Sequence, residues 1–234
     1  MPIDKGRLLR FNLQMEEQSM LRNLAQCLGL GMSFILFSNC SYAEEQRIKV
    51  VGDTIFFDGY IPYDEEEADI GNEDLETLKA LLENNSGIKI LRITSGGGAP
   101  DPAYAMARLI SDYGLETTAY ADCISACIPI FLAGNPRTLA LGARLGFHGS
   151  YWPTDNMKNF YIRNKAARGW DDPIEFATWA YEDGRQSSAR IFEYMFDKGV
   201  SPEFTIKISK LGRDDYWYPT RDELVNANIL KAAK

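Results

Sequence analysis

Between Arg47 and Phe147 the chain alternates short β-rich runs with stretches whose apolar residues recur at helical spacing, and this alternation constrains the fold more than any other feature. Arg47 to Val51 and Thr54 to Phe57 are β-rich and separated by the turn pair Gly52-Asp53. Asn72 and Asp74 can cap a helix that carries Leu75, Leu78, Leu81 and Leu82 on one face and ends at Asn84 to Gly87. Ile88 to Thr94 then predicts a strand, Pro102 to Tyr113 a helix stopped by Gly114, and Glu116 to Ala121 a strand. Ser125 to Ala133 predicts a helix of small and apolar residues, and Thr138 to Leu141 and Arg144 to Phe147 two short strands around Gly142. Strand, crossover helix and strand, repeated, build an α/β domain with a parallel sheet. From Pro173 to Gly199 the pattern becomes helical and rich in aromatics, and the acidic run Tyr63 to Glu67 reads as a solvated loop.

Composition narrows the function. The 234 residues, 45% hydrophobic and 25% charged, suit one globular domain. A net charge of −8 argues against nucleic acid as a partner, because a sequence-independent grip on phosphates needs clustered Lys and Arg. One histidine in the whole chain excludes a zinc site built from two imidazoles and assigns any histidine-dependent catalysis to His148.

The first 43 residues read as a secretory signal. Lys5, Arg7, Arg10 and Arg22 precede an uncharged, mostly apolar run, Leu24 to Phe37, which is shorter than the ~20 residues a membrane span needs. Ser41-Tyr42-Ala43 is a small-x-small cleavage pattern, so the mature domain is expected to be 44–234, in the periplasm or secreted. Cleavage removes two of the four cysteines and leaves Cys123 and Cys127, an even number in an oxidising compartment.

Three places carry chemistry-bearing residues. Ser95-Gly96-Gly97-Gly98 follows a strand; it is either a flexible turn or a backbone that presents N–H groups to an anion or a developing oxyanion. It matches neither a dinucleotide fingerprint nor a P-loop, and no cofactor is indicated. Ser125, in Cys123-Ile124-Ser125-Ala126-Cys127, stands at a strand-to-helix junction as either an ordinary N-cap or a nucleophile. His148, in Gly146-Phe147-His148-Gly149, ends a short strand as either a packed histidine or a base.

The order Gly96-Gly97-Gly98, Ser125, His148 resembles the Clp-type serine peptidase family. The resemblance extends through Gly134-Asn135-Pro136-Arg137, Leu139-Ala140-Leu141 and Gly146-Phe147-His148 to Asp215-Tyr216-Trp217-Tyr218 before Asp222-Glu223-Leu224, nearly the whole mature chain. It implies a ClpP/crotonase-like fold, a spiral of repeated β-β-α units with a largely parallel sheet. It implies Ser125 as nucleophile, His148 as general base, Asp215 as the group that fixes the imidazole, and the N–H groups of Gly98 and Ala126 as the oxyanion hole. Asp214 is a rival for the third place. Gly96 stands where the family usually has proline and Ala126 where it often has Met, which leaves the substrate pocket and the oligomeric form, a homo-oligomer or not, open.

The expected function is therefore that of an exported, ATP-independent serine hydrolase acting on peptides or unfolded protein, with no ATPase partner; the alternative is a non-catalytic binding protein of the same fold. A crotonase-type acyl-CoA enzyme is disfavoured, since Ser and His in these places are not that chemistry. Cys123 and Cys127 lack the further ligands that zinc requires. They form either a disulfide bracing the turn that holds Ser125, if their Cα atoms approach within about 7 Å, or two buried small hydrophobes.

Overall fold

The computed structural model describes residues 46–63 and 68–232. The chain divides into two units, 1–44 and 45–234; the first, with the signal-peptide expectation that falls on it, lies outside the described residues, as do 64–67 of the acidic run.

Strands β1 (Ile48–Val51) and β2 (Thr54–Asp58) form the expected antiparallel hairpin, with Gly52 at φ 64° in the turn. Strands β3 (Ile90–Ser95), β4 (Glu116–Ile124) and β5 (Arg137–Leu139) follow β2 in order, each parallel to its neighbour. Strand β6 (Leu145–Gly146) pairs with the far end of β4, beyond β5. Helices α1 (Asn72–Asn84), α2 (Pro100–Asp112) and α3 (Cys127–Ala133) make the crossovers. The result is a mixed α/β fold on a largely parallel sheet.

Period-two alternation sorts the strands into two faces. Ile55, Phe57, Leu91, Ile93 and Ala119 are buried on one face and join Leu78, Leu82, Met106, Ile110, Ile130 and Phe131 of the helices in one core. Each aliphatic side chain buried there contributes on the order of 1.5–3 kcal/mol. The other face is half-covered, and Arg92 lies between the Phe56 and Tyr120 rings.

One polar network is enclosed with this core. Arg47, 4% exposed, binds the carboxylate of fully buried Asp74 through Nε (2.7 Å) and Nη2 (3.1 Å). The same guanidinium donates to the carbonyls of Gly59, Ile61 and Asp69. Asp74 also accepts from Tyr63 Oη and from the Gly71 N–H, so that as the N3 residue of α1 it makes one half of a capping box, the N-cap glycine having no side chain to return the bond. Burial, and then the hydrogen bond to Asp74, pushes the Tyr63 hydroxyl up to about 12.

After β6, α4 (Thr154–Arg168) and α5 (Pro173–Asp197) form a feature the sequence only half announces. No residue of α4 is fully buried, and it has no apolar stripe to mark it as a helix. It is held by rings: Trp152 lies 5.1 Å from Phe160, Phe160 stacks on Trp179 at 5.3 Å, and Trp170 sits 5.1 Å from both Phe176 and Trp179. The Arg168 guanidinium covers Trp179 at 4.9 Å. Two short helices, α6 (Pro202–Ser209) and α7 (Arg221–Asn226), complete the described chain.

The Arg47 network predicts a particular pattern of stabilities. Arg47→Met leaves a buried, uncompensated carboxylate and should lower unfolding stability by about 3–5 kcal/mol. Arg47→Met/Asp74→Leu should recover most of that loss. Urea denaturation followed by far-UV circular dichroism measures both, and a single variant within 1 kcal/mol of the parent would refute the network's importance.

Candidate active site

In a parallel sheet the carboxyl ends of the strands gather the loops that can hold a ligand. Here β3 ends at Ser95, β4 at Ile124 and β6 at Gly146, so the glycine run, Ser125 and His148 all emerge at that end of the sheet.

The glycine run is fixed from below by Ile70. Ile70 N–H donates to Gly97 O and Ile70 O accepts from Ala99 N–H, each at 2.8 Å, a one-residue parallel bridge to Gly98. Because that bridge engages Gly97 O and Ala99 N, the N–H of Gly98 points away from Ile70 and is left for another partner. Gly97 and Gly98 have φ of 114° and 144°, where a side chain is strained. Space excludes one as well: a Cβ on Gly98 would lie 2.2 Å from Ile70 N, and one on Gly97 2.8 Å from Ser125 Cβ and 3.2 Å from Ala126 N. The glycine backbone and the Ser125-Ala126 backbone are thus in direct contact.

Ser125 does not begin α3. The expected helix from Ser125 starts instead at Cys127, with Ala126 as its cap, because Ser125 adopts φ 56°. Its backbone, not its hydroxyl, makes the local bonds: its carbonyl accepts from Ile128 N–H at 3.0 Å and its N–H donates to Gly146 O at 3.1 Å. A left-handed conformation at a non-glycine residue costs about 1–3 kcal/mol and persists where its surroundings impose it. Two features do so. Cys123 and Cys127 are joined by a disulfide across the turn, with Cα atoms 5.3 Å apart. The end of β4 also carries extra residues, since Ile93 pairs with Ala119 but Ser95 with Cys123, and Thr94 Oγ1 holds this bulge at Asp122 O.

His148 is half-buried. Phe147 before it exchanges two hydrogen bonds with Trp217 at 2.9 and 2.8 Å, and the Phe147, Phe204 and Trp217 rings pack together. The imidazole lies 5.2 Å from the Tyr216 ring and 6.0 Å from the Tyr151 ring. Its Nδ1 is 2.9 Å from Gly149 O. Among the described residues no hydrogen bond joins it to Ser125 Oγ; strand pairing brings the two residues to one end of the sheet. Asp215 is exposed and accepts the Gly212 N–H at 2.9 Å, while Asp214 is 3.8 Å from Arg213 Nε. Neither carboxylate contacts the imidazole.

Residues that the sequence did not single out border this end of the sheet. Arg144 forms a two-bond pair with Asp122 and covers the Tyr218 ring at 4.5 Å. A Cβ on Gly96 would meet Tyr60, and one on Gly146 would meet Tyr218. Burial first, and Asp122 second, push the Tyr60 hydroxyl up to about 12, and burial raises Tyr218. Both tyrosines are therefore neutral hydrogen-bond donors at physiological pH. A separate cleft of about 450 Å³, lined by Asn135, Arg137 and the 225–232 segment, includes none of Ser125, His148 or Asp215.

No family model matches the sequence, and no curated protein matches it. Solved structures with a similar course of chain include a variant of ClpP1 from Listeria monocytogenes, at 16% identity over 76% of this chain and 89% of that one, with a TM-score of 0.49. ClpP1 itself from that organism matches at 18% identity over 69% and 84%, with a TM-score of 0.47. An enoyl-CoA hydratase (so titled, as putative) from Streptomyces coelicolor A3(2) matches at 12% identity over 86% and 71%, with a TM-score of 0.45.

The turn's geometry sets two expectations. Ser125→Gly should be more stable than Ser125→Ala by about 1 kcal/mol, because only glycine adopts φ 56° without cost; equal melting curves would deny the strain. Replacing both Cys123 and Cys127 by Ala should remove about 2 kcal/mol of stability, the loop-closure term for so short a loop, as read by urea titration against the parent.

Proposed function

We propose that this protein is an exported serine hydrolase of the Clp-like class, acting on peptides through an acyl-enzyme without ATP. The observation that carries the reading is the meeting of Gly97, next to Gly98, with the Ile124-Ser125-Ala126 turn beside the strand that delivers His148. Ser125 Oγ attacks the acyl carbonyl and His148 Nε2 takes its proton. The N–H groups of Gly98 and Ala126 receive the oxyanion, a contribution of about 10²–10³ in rate per donor. His148 then protonates the leaving amine, and water, activated the same way, releases the acyl group. Asp215 lies outside this centre, bonded to Gly212 in the turn that packs against Gly149.

The buried disulfide supports an oxidising compartment, in keeping with the leader expected in residues 1–43. A compartment without ATP gives no work to an unfoldase. Substrates are then short, unfolded or already cleaved chains, which enter by diffusion.

A fluorophosphonate probe reports an activated serine directly. The protein carrying residues 44–234 should be labelled on Ser125, Ser125→Ala should not react, and His148→Ala should slow labelling by at least 10²-fold. Labelling that persists in Ser125→Ala would refute the nucleophile, and an unreactive parent would favour the non-catalytic binding protein of the same fold.

A further inference from the structure

We propose that the carbonyl of Gly149, not a carboxylate, orients His148, and that Asp215 is a positioning residue acting through the turn it closes. This rests on the serine-hydrolase reading above and assigns the third role within it.

A carbonyl oxygen can only accept, so the 2.9 Å contact to Gly149 O places the proton of the neutral ring on Nδ1 and leaves the lone pair on Nε2. That is the tautomer a base for Ser125 needs. Gly149 is itself held. Its N–H donates to Gly212 O at 3.3 Å, and a Cβ on it would lie 2.1 Å from Leu211 O, so the 211–212 backbone presses directly on it. Gly212 is in turn fixed by Asp215, whose N–H donates to Gly212 O at 3.2 Å and whose Oδ2 accepts Gly212 N–H at 2.9 Å. The chain of contacts therefore runs from Asp215 to Gly212, to Gly149, to the imidazole. The groups facing the ring are the Tyr216 and Tyr151 side chains, and Arg213 lies over Tyr151 at 5.4 Å with Asp214 beside it. Among the described residues no negative charge touches the ring.

In acylation the Ser125 Oγ–carbon bond forms as the Oγ proton passes to Nε2, and the Nδ1 proton stays where it is, held by Gly149 O. The proton on Nε2 then passes to the leaving nitrogen as its bond to carbon breaks. The imidazolium is stabilised by a carbonyl dipole in place of a full charge.

Asparagine separates the two roles of Asp215, because its amide oxygen can still accept the Gly212 N–H but carries no charge. Fluorophosphonate labelling of untagged protein across pH should give Asp215→Asn a rate within about threefold of the parent and the same acid limb. Asp215→Ala should be slowed at least tenfold. A 10³–10⁴-fold loss in Asp215→Asn, the effect of removing a carboxylate from an imidazole, would overturn the proposal, as would Asp215→Ala at the parent's rate. With one histidine in the chain, ¹⁵N NMR of the imidazole gives a readout independent of turnover. The Nδ1-protonated tautomer is expected in the parent and in Asp215→Asn, and the Nε2-protonated tautomer would overturn the assignment. A parent that shows the Nδ1 tautomer yet never labels would refute the hydrolase reading and, with it, any catalytic role for this arrangement.

Discussion

The Arg47–Asp74 ion pair is the constraint from which the candidate site follows. One guanidinium, enclosed with the core, ties the first strand to the N-terminus of α1 and to the carbonyls on both sides of residues 64–67. The Asp69 carbonyl that it holds immediately precedes Ile70, the residue that bridges the glycine run. A charge that cannot be left alone in the interior thus fixes a backbone strand, which in turn aims Gly98 N–H. Such a pair is poor evidence for net stability, since a well-packed apolar replacement can do as well. Its effect here is geometric: few other side chains could satisfy a carboxylate and three carbonyls from three different segments at once.

From that strand upward, the site is built by backbone more than by side chains. Ser125 is placed by its φ, by the disulfide around it and by the bulge in β4. His148 is placed by the pairing of Phe147 with Trp217, and its ring by the next residue's carbonyl. Side-chain packing then locks these backbones, as when the Lys207 ammonium sits 3.6 Å from the centre of the Trp217 ring that supports Phe147.

Much of the architecture was legible because it depends on local pattern. The hairpin, the three crossovers and the positions of Gly98, Ser125 and His148 at strand ends follow from β-branched runs, helical spacing and turn residues. Cys123 and Cys127 could be read as a bridge or as small hydrophobes, and the bent junction brought their Cα atoms close enough to bond. What was not legible depends on contacts distant in sequence. Arg47 and Asp74 are 27 residues apart with no periodicity linking them. The Ile70–Gly98 bridge is a single residue long. Helix α4 has no apolar stripe and is held by ring contacts that only tertiary structure creates. Ser125 looked like a helix cap because serine often is one, and its positive φ is invisible in the identity of the residue. The partner of Asp215 likewise depends on a turn of four residues, not on the motif that surrounds it.

The ring cluster on the helical hairpin has an optical consequence. Of the four tryptophans, Trp152, Trp170 and Trp179 belong to that cluster and Trp217 is bridged to Phe147, so none lies within strands β1 to β6. Tryptophan emission therefore samples α4, α5 and the neighbourhood of His148, while the parallel strands contribute none of it. With Trp170 and Trp179 centred 5.1 Å apart, their transitions are close enough to couple. Loss of that coupled signal would record the parting of the ring cluster that holds α4 to α5, with no label added.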